Sequence, residues 1–90
     1  MQNRYYWFIL GMLENETGIY KDDWHDYFGE KFRRSTKEFN GEPIEFTKSS
    51  TALTTIEFED YMTKIRTFAS MELGCFLPLP NESEYDYLKL

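Results

Sequence analysis

The sequence predicts a mainly α-helical fold: three helices, with a short β-hairpin or extended excursion between helices 2 and 3. Two segments repeat apolar residues near every 3.6 positions, and a third, near the N-terminus, is a continuous apolar run. Asn40-Gly41, flanked by Phe39 and Ile44, is a strong signal for a two-residue hairpin turn. The 90 residues contain no repeat or linker, so we expect one helical domain over residues 1–80 and an acidic C-terminal tail over 81–90.

The first helix is predicted over residues 4–15, where Asn3 can cap its start and Gly18 can end it. Almost every residue from Tyr5 to Leu13 is apolar, so this helix has no polar face. Such a helix must be surrounded, either by the rest of the fold or by another subunit. We expect a homodimer whose interface contains Tyr5, Trp7, Phe8 and Met12.

The second helix is predicted over residues 22–33. Its acids lie in the first turns and its bases at the end, which complements the helix dipole. Trp24, Phe28 and Phe32 are four residues apart and form one apolar stripe, which indicates a core face.

The third helix is predicted to begin after Thr54, because Thr54 and Glu57 have the spacing of a capping box. Its apolar residues keep a helical period up to Leu73, and Gly74 suits the position after the last turn. Pro78 and Pro80 prevent an immediate further helix.

Cysteine content and hydropathy indicate a cytoplasmic protein. Cys75 is the single cysteine and has no partner for an internal disulfide, which favours a reducing compartment. The apolar run from Tyr5 to Leu13 spans nine residues, whereas a membrane helix needs about 20. We therefore expect no membrane association and a cytoplasmic location.

A short basic segment interrupts an acidic chain of net charge -6. Four cations and no acid lie within residues 31–37, and the remainder of the chain carries a net charge of -10. Clustered cations near aromatic rings are typical of single-stranded nucleic-acid binding. The predicted nucleic-acid-binding residues are Lys31, Arg33, Arg34, Lys37, Lys48, Ser49, Ser50 and Thr51. The alternative is that the cations only complement the end of the second helix while the nearby phenylalanines belong to the core.

Catalytic and metal sites are not indicated. On a helix, Asp22 and Asp26 share a face while His25 joins only Asp22, which gives too few ligands for a metal ion. His25 is the single histidine, and Cys75 follows a helix C-terminus, whose dipole raises the pKa of a thiol. We expect no enzymatic activity, no metal and no cofactor, and we expect His25 to bridge a helix end to a neighbouring loop.

Several short segments occur in a fixed order along the chain: QNRYYW (2–7), TG (17–18), WHDYF (24–28), STALT (50–54), EFEDY (57–61), IRTFA (65–69), ELG (72–74) and LPLP (77–80). Together they resemble the helical part of the NinB-type phage recombination protein family, to which the lambda Orf recombination mediator belongs. The resemblance implies a non-catalytic accessory of bacteriophage DNA recombination. It also implies single-stranded DNA binding, a dimer, and action alongside a recombinase or a single-strand-binding protein.

Two functional hypotheses follow. The first is a recombination accessory that binds single-stranded DNA, and the second is a protein-protein interaction adaptor of phage or host origin that does not bind DNA. Salt dependence separates them, because phosphate contacts release counterions and weaken steeply as salt rises.

Overall fold

A computed structural model of the protein describes residues 3–80, and over that range the chain is mainly α-helical. Three helices surround one apolar core, and a two-stranded antiparallel hairpin lies between the second and third. The predicted fold class is confirmed. The elements are α1 (Asn3–Thr17), α2 (Lys21–Phe32), β1 (Arg34–Phe39), β2 (Glu42–Thr47), a short 3₁₀ turn (Ser50–Ala52) and α3 (Thr55–Leu73).

Helix α1 supplies the centre of the core. Five of its side chains are fully buried: Tyr5, Tyr6, Ile9, Leu10 and Leu13. The helix ends at Thr17, and Gly18 follows with a left-handed φ of 77° and an N–H that donates to the Glu14 carbonyl at 2.8 Å. The other domain elements cover one side of α1, and Trp7, Phe8 and Met12 on the rest of its surface stay half-buried.

Helix α2 packs through the predicted aromatic stripe. The Trp24 and Phe28 rings stack at 5.3 Å between centroids, and Phe28 and Phe32 stack at 6.0 Å. Phe68 of α3 meets Phe28 edge-on at 5.5 Å, which is a preferred geometry for aromatic pairs. The stripe therefore joins α2 to α3.

The hairpin forms at the predicted dipeptide. Asn40 has φ of 53° and Gly41 has φ of 78°, as a two-residue turn with two left-handed residues requires. The register pairs Lys37 with Ile44 and Phe39 with Glu42. Both strands extend away from the helices, and most of their residues are exposed.

Helix α3 begins and ends where the sequence indicates. The Thr54 hydroxyl accepts from the Glu57 N–H, and the Glu57 carboxylate accepts from the Thr54 N–H, which completes a capping box. Gly74 closes the helix with φ of 63°. The segment that follows returns to α1, where the Tyr5 hydroxyl donates to the Pro78 carbonyl at 2.7 Å.

None of the helices within residues 3–80 is both long enough and apolar enough to cross a membrane. The predicted acidic tail over residues 81–90 lies outside the described residues.

Candidate nucleic-acid interface

One face of the hairpin combines an exposed and a half-buried aromatic side chain with a lysine. Residues opposite each other in an antiparallel pair share a face, and successive residues alternate between faces. We call this surface the hairpin face; its members are Ser35, Lys37, Phe39, Glu42, Ile44 and Phe46. Phe39 is 64% exposed and Ile44 is 47% exposed, although both are large apolar residues.

The lysine of the hairpin face lies against one of its rings. Lys37 Nζ is 5.2 Å from the centre of the Phe46 ring, within the range of a cation-π contact. Phe39, Ile44 and Phe46 line a shallow hollow of about 330 Å³ together with Lys37 and Glu38. The hairpin face thus offers rings for stacking and an ammonium group for an anion, which is the chemistry of single-stranded nucleic-acid binding.

The opposite face of the hairpin is partly neutralised. Arg34 lies 3.4 Å from a Glu30 carboxylate oxygen and 3.5 Å from one of Glu45. Exposed ion pairs of this kind contribute little to stability, but a phosphate would have to compete with two carboxylates for Arg34. Arg34 therefore belongs to a mixed-charge surface.

Arg33 is inside the protein and is not a surface cation. Its side chain is only 6% exposed, and its three guanidinium nitrogens donate to Tyr61 Oη, the Lys48 carbonyl and the His25 carbonyl at 2.8–3.0 Å. The guanidinium also lies 5.3 Å from the Tyr61 ring centre. The prediction that Arg33 contacts nucleic acid is therefore at odds with its position, because its donors already link α2, α3 and the end of β2.

Lys31 lies apart from the hairpin face, over the rings that join α2 to α3. Its Nζ is 5.6 Å from the Phe68 ring centre, 5.8 Å from that of Phe32 and 6.0 Å from that of Tyr27. The four cations of residues 31–37 consequently lie in four different places. Lys31 lies over the helices, Arg33 is in the interior, and Arg34 and Lys37 are on opposite faces of the hairpin. They do not form the single basic patch that their spacing in the sequence suggested.

The segment after the hairpin uses most of its polar groups internally. Lys48 Nζ is 3.1 Å from both carboxylate oxygens of Glu57. Hydrogen bonds from the Thr54 backbone N–H and from Lys48 hold the pKa of Glu57 below its usual value. The Ser49 hydroxyl accepts from the Thr51 N–H, and Ser50 is buried. Lys48, Ser49 and Thr51 therefore have protein partners, and Ser50 is shielded by burial.

A buried polar chain connects the three helices. Tyr6 Oη is 2.7 Å from His25 Nδ1 and 2.8 Å from Tyr61 Oη, which in turn accepts from Arg33 Nε at 3.0 Å. Because Arg33 can only donate, one proton arrangement satisfies every group: Tyr61 donates to Tyr6, and Tyr6 donates to a neutral His25.

The environment of this polar network favours the neutral forms of Tyr6, Tyr61 and His25. Burial, and then the hydrogen bond with Tyr61, raise the pKa of Tyr6, and burial raises the pKa of Tyr61. Burial and the nearby Arg33 charge lower the pKa of His25 below 6.5, although Asp26 and Asp22 act in the opposite direction. The hydrogen bonds of this polar network therefore form between neutral tyrosine and histidine side chains at neutral pH.

The role expected for His25 was wrong. Its ring links α2 to α1 through Tyr6 and lies tilted against the Trp7 ring, with 4.9 Å between the ring centroids, whereas the sequence suggested a contact between a helix end and a loop. One signal in the sequence for the buried Arg33 guanidinium was overlooked, a glycine inside α2. A Cβ at Gly29 would lie 2.5 Å from Arg33 Nη2, so the glycine makes room for the guanidinium.

The predicted dimer interface divides into two parts. Tyr5 is fully buried within one chain, where its hydroxyl accepts from Arg66 Nη1 at 2.8 Å. Trp7, Phe8 and Met12 are half-buried and pack against the edge of the core, with part of each side chain accessible. Only these last three are placed where a second subunit could reach them.

No group of three or more potential metal-ligating side chains occurs within residues 3–80. No family model, curated protein or solved structure matches the chain. The resemblance to NinB-type proteins therefore stays a prediction from the sequence.

Proposed function

We propose that the protein is a non-catalytic accessory of phage-type DNA recombination that binds single-stranded DNA through the hairpin face. The observation that carries this proposal is that Phe39 is exposed on the same face as Lys37 and the half-buried Phe46. The resemblance to NinB-type proteins points to the same ligand. The proposal places the protein in the cytoplasm of a bacterial host cell, beside a recombinase or a single-strand-binding protein.

The dimensions of the hairpin face suit a short stretch of single strand. Phe46 lies opposite Ser35, four residues along β1 from Phe39, so the two rings are about 13 Å apart along the ribbon. The pair of Lys37 and Ile44 lies midway between them. The exposed Phe39 ring can accept a base while Lys37 contacts the backbone, and the accessible part of the half-buried Phe46 ring can contact a second base.

The charges predict weak binding with a shallow salt dependence. Each phosphate contact to a single strand adds about 0.7 to the slope of log affinity against log salt. Lys37 is the cation of the hairpin face, and the other cations of residues 31–37 are buried, paired with carboxylates or placed on the helices. Stacking therefore has to supply most of the affinity.

A substitution of Phe39 tests the stacking surface. Base stacking on an aromatic side chain contributes about 1–3 kcal/mol, so Phe39→Ala should weaken binding of a fluorescent oligothymidylate about 5- to 150-fold in fluorescence anisotropy. Phe76→Ala is the matched control, because Phe76 is also highly exposed but lies outside the hairpin. Equal affinities for the two variants would place the DNA elsewhere.

A substitution of Lys37 tests the phosphate contact. Lys37→Gln should reduce the slope of log affinity against log salt by about 0.7, whereas Lys21→Gln, an exposed lysine outside the hairpin, should leave the slope unchanged. If the full chain fails to bind the oligonucleotide even at low salt, the DNA proposal falls.

The second candidate function is the protein-protein adaptor. The hairpin from Arg34 to Thr47 contains two basic and three acidic residues, so it does not attract nucleic acid as a whole. An exposed apolar face bordered by both signs of charge also fits a protein surface. Absence of DNA binding, together with a complex formed with a recombinase or single-strand-binding protein and lost on Phe39→Ala, would favour this function.

The outer surface of α1 supports the proposed homodimer. Trp7, Phe8 and Met12 flank it as half-buried residues that also pack against the core, and a Cβ at Gly11 would meet nothing within 4 Å. A half-buried apolar stripe with a glycine at its centre lets another helix approach closely. Sedimentation of the full chain at several concentrations measures the association.

A further inference from the structure

The outer side of α3 carries an apolar groove. It consists of two adjoining hollows of about 370 and 300 Å³ that share Thr67 and Met71. Phe76, Leu77 and Leu79 line the first hollow, on the side where the chain leaves α3. We call the two hollows together the α3 groove.

Large apolar side chains on this groove are unusually exposed. Phe76 is 85% exposed, Met71 is 76% exposed and Leu79 is 43% exposed. Isolated exposed apolar residues are ordinary, but a contiguous group of them around a hollow marks a contact surface.

Two cations border the α3 groove. Arg66 lines the first hollow and Lys64 lines the second. Within residues 3–80 the Arg66 guanidinium donates to two hydroxyls, those of Tyr5 and Thr63, and Lys64 pairs with Asp60 at 3.0 Å. Glu72 also lines the second hollow, so an occupant of the groove should be mainly apolar, with an acidic group near Arg66.

We propose that the α3 groove is the docking site of the chain's own residues 81–90. Their sequence, NESEYDYLKL, combines three acids with two tyrosines and two leucines, which complements both the apolar groove and its cations. The segment follows Pro80, the preceding residue Leu79 lines the groove, and the hydrogen bond from Tyr5 to Pro78 holds the chain just before this point.

The length of the segment is sufficient. Ten extended residues reach up to about 33 Å, whereas α3 rises only about 12 Å between Thr63 and Met71. A tethered segment also acts at an effective concentration in the millimolar range, so weak contacts are enough to keep the groove covered. This proposal is independent of the ligand of the hairpin face.

Methionine methyl groups provide a direct test in the full chain. Met71 lies in the α3 groove, whereas Met62 is buried and Met12 is on α1. In ¹³C-methyl-methionine NMR spectra we expect nuclear Overhauser contacts from the Met71 methyl to tyrosine ring protons. In the double variant Tyr85→Leu and Tyr87→Leu these contacts should disappear and the Met71 signal should move.

The control is Tyr20→Leu, which replaces an exposed tyrosine at the start of α2 and should leave the Met71 signal in place. Unchanged Met62 and Met12 signals would show that every variant is folded. A Met71 signal that is identical in the full chain and the double variant would overturn the proposal. A Met71 signal that changes with protein concentration would also overturn it, because a second copy would then be the occupant.

Discussion

Removal of the Arg33 guanidinium should destabilise the fold far more than removal of its neighbour Arg34. Arg33 is 6% exposed and makes three hydrogen bonds, one of which is the fully buried bond to Tyr61. A hydrogen bond to a charged group contributes about 1.5–3 kcal/mol, and water can replace part of what the two half-buried carbonyls lose. We therefore expect Arg33→Met to lower the free energy of unfolding by about 3–5 kcal/mol.

Arg34→Met is the matched control. Its two ion pairs with Glu30 and Glu45 are exposed, and such pairs contribute about 0–1 kcal/mol. Urea unfolding followed by tryptophan fluorescence measures both variants, and Arg33→Met should also lower Tm by at least about 12 °C. Arg33→Lys keeps the charge but loses the fork of donors, so it should be intermediate and remain folded. Equal stabilities of Arg33→Met and Arg34→Met would refute the role given to the buried guanidinium.

Three further predictions concern the core and the subunit interface. Because the folded-state pKa of His25 lies below 6.5, the unfolded chain binds a proton at His25 more readily than the folded chain does. The contribution of neutral His25 to the free energy of unfolding is therefore fully present above pH 6.5 and falls as pH drops below that value, by less than about 1.4 kcal/mol per pH unit. A urea midpoint that stays constant between about pH 7.5 and 5.5 would contradict this. Gly29→Ala should destabilise by about 1–3 kcal/mol in urea because its Cβ would displace the Arg33 guanidinium. Gly11→Ala, whose Cβ meets open space, should instead be neutral or stabilising by up to about 1 kcal/mol, and the reverse order would count against the close packing at position 29. Met12→Glu should abolish concentration-dependent sedimentation of the full chain, and a dimer that persists would place the interface elsewhere.

Local signals in the sequence predicted the elements well. The Asn40-Gly41 turn, the capping box at Thr54 and the αL residue Gly74 each depend on the backbone preferences of one or two residues, and the structure confirms all three. The aromatic stripe of α2 was equally local, because four-residue spacing on a helix fixes which side chains share a face.

The candidate site was less predictable because it depends on the direction of side chains after a change in secondary structure. Arg33 and Arg34 are neighbours in the sequence, but Arg33 follows the last residue of α2 and Arg34 begins β1. The Arg33 guanidinium therefore points to the interior and the Arg34 guanidinium to the solvent. A charge count over a window treats them alike. The partners that bury Arg33, above all Tyr61, lie far along the chain and leave no local pattern.

The most direct test of the central claim is to map where single-stranded DNA contacts the protein. In two-dimensional NMR spectra of the ¹⁵N-labelled full chain at low salt, a short oligothymidylate should shift the amide signals of Lys37, Phe39, Ile44 and Phe46 more than those of the α3 residues Thr67 and Met71. Shifts confined to α3, or no shifts at all, would contradict the assignment of the hairpin face as the DNA-binding surface.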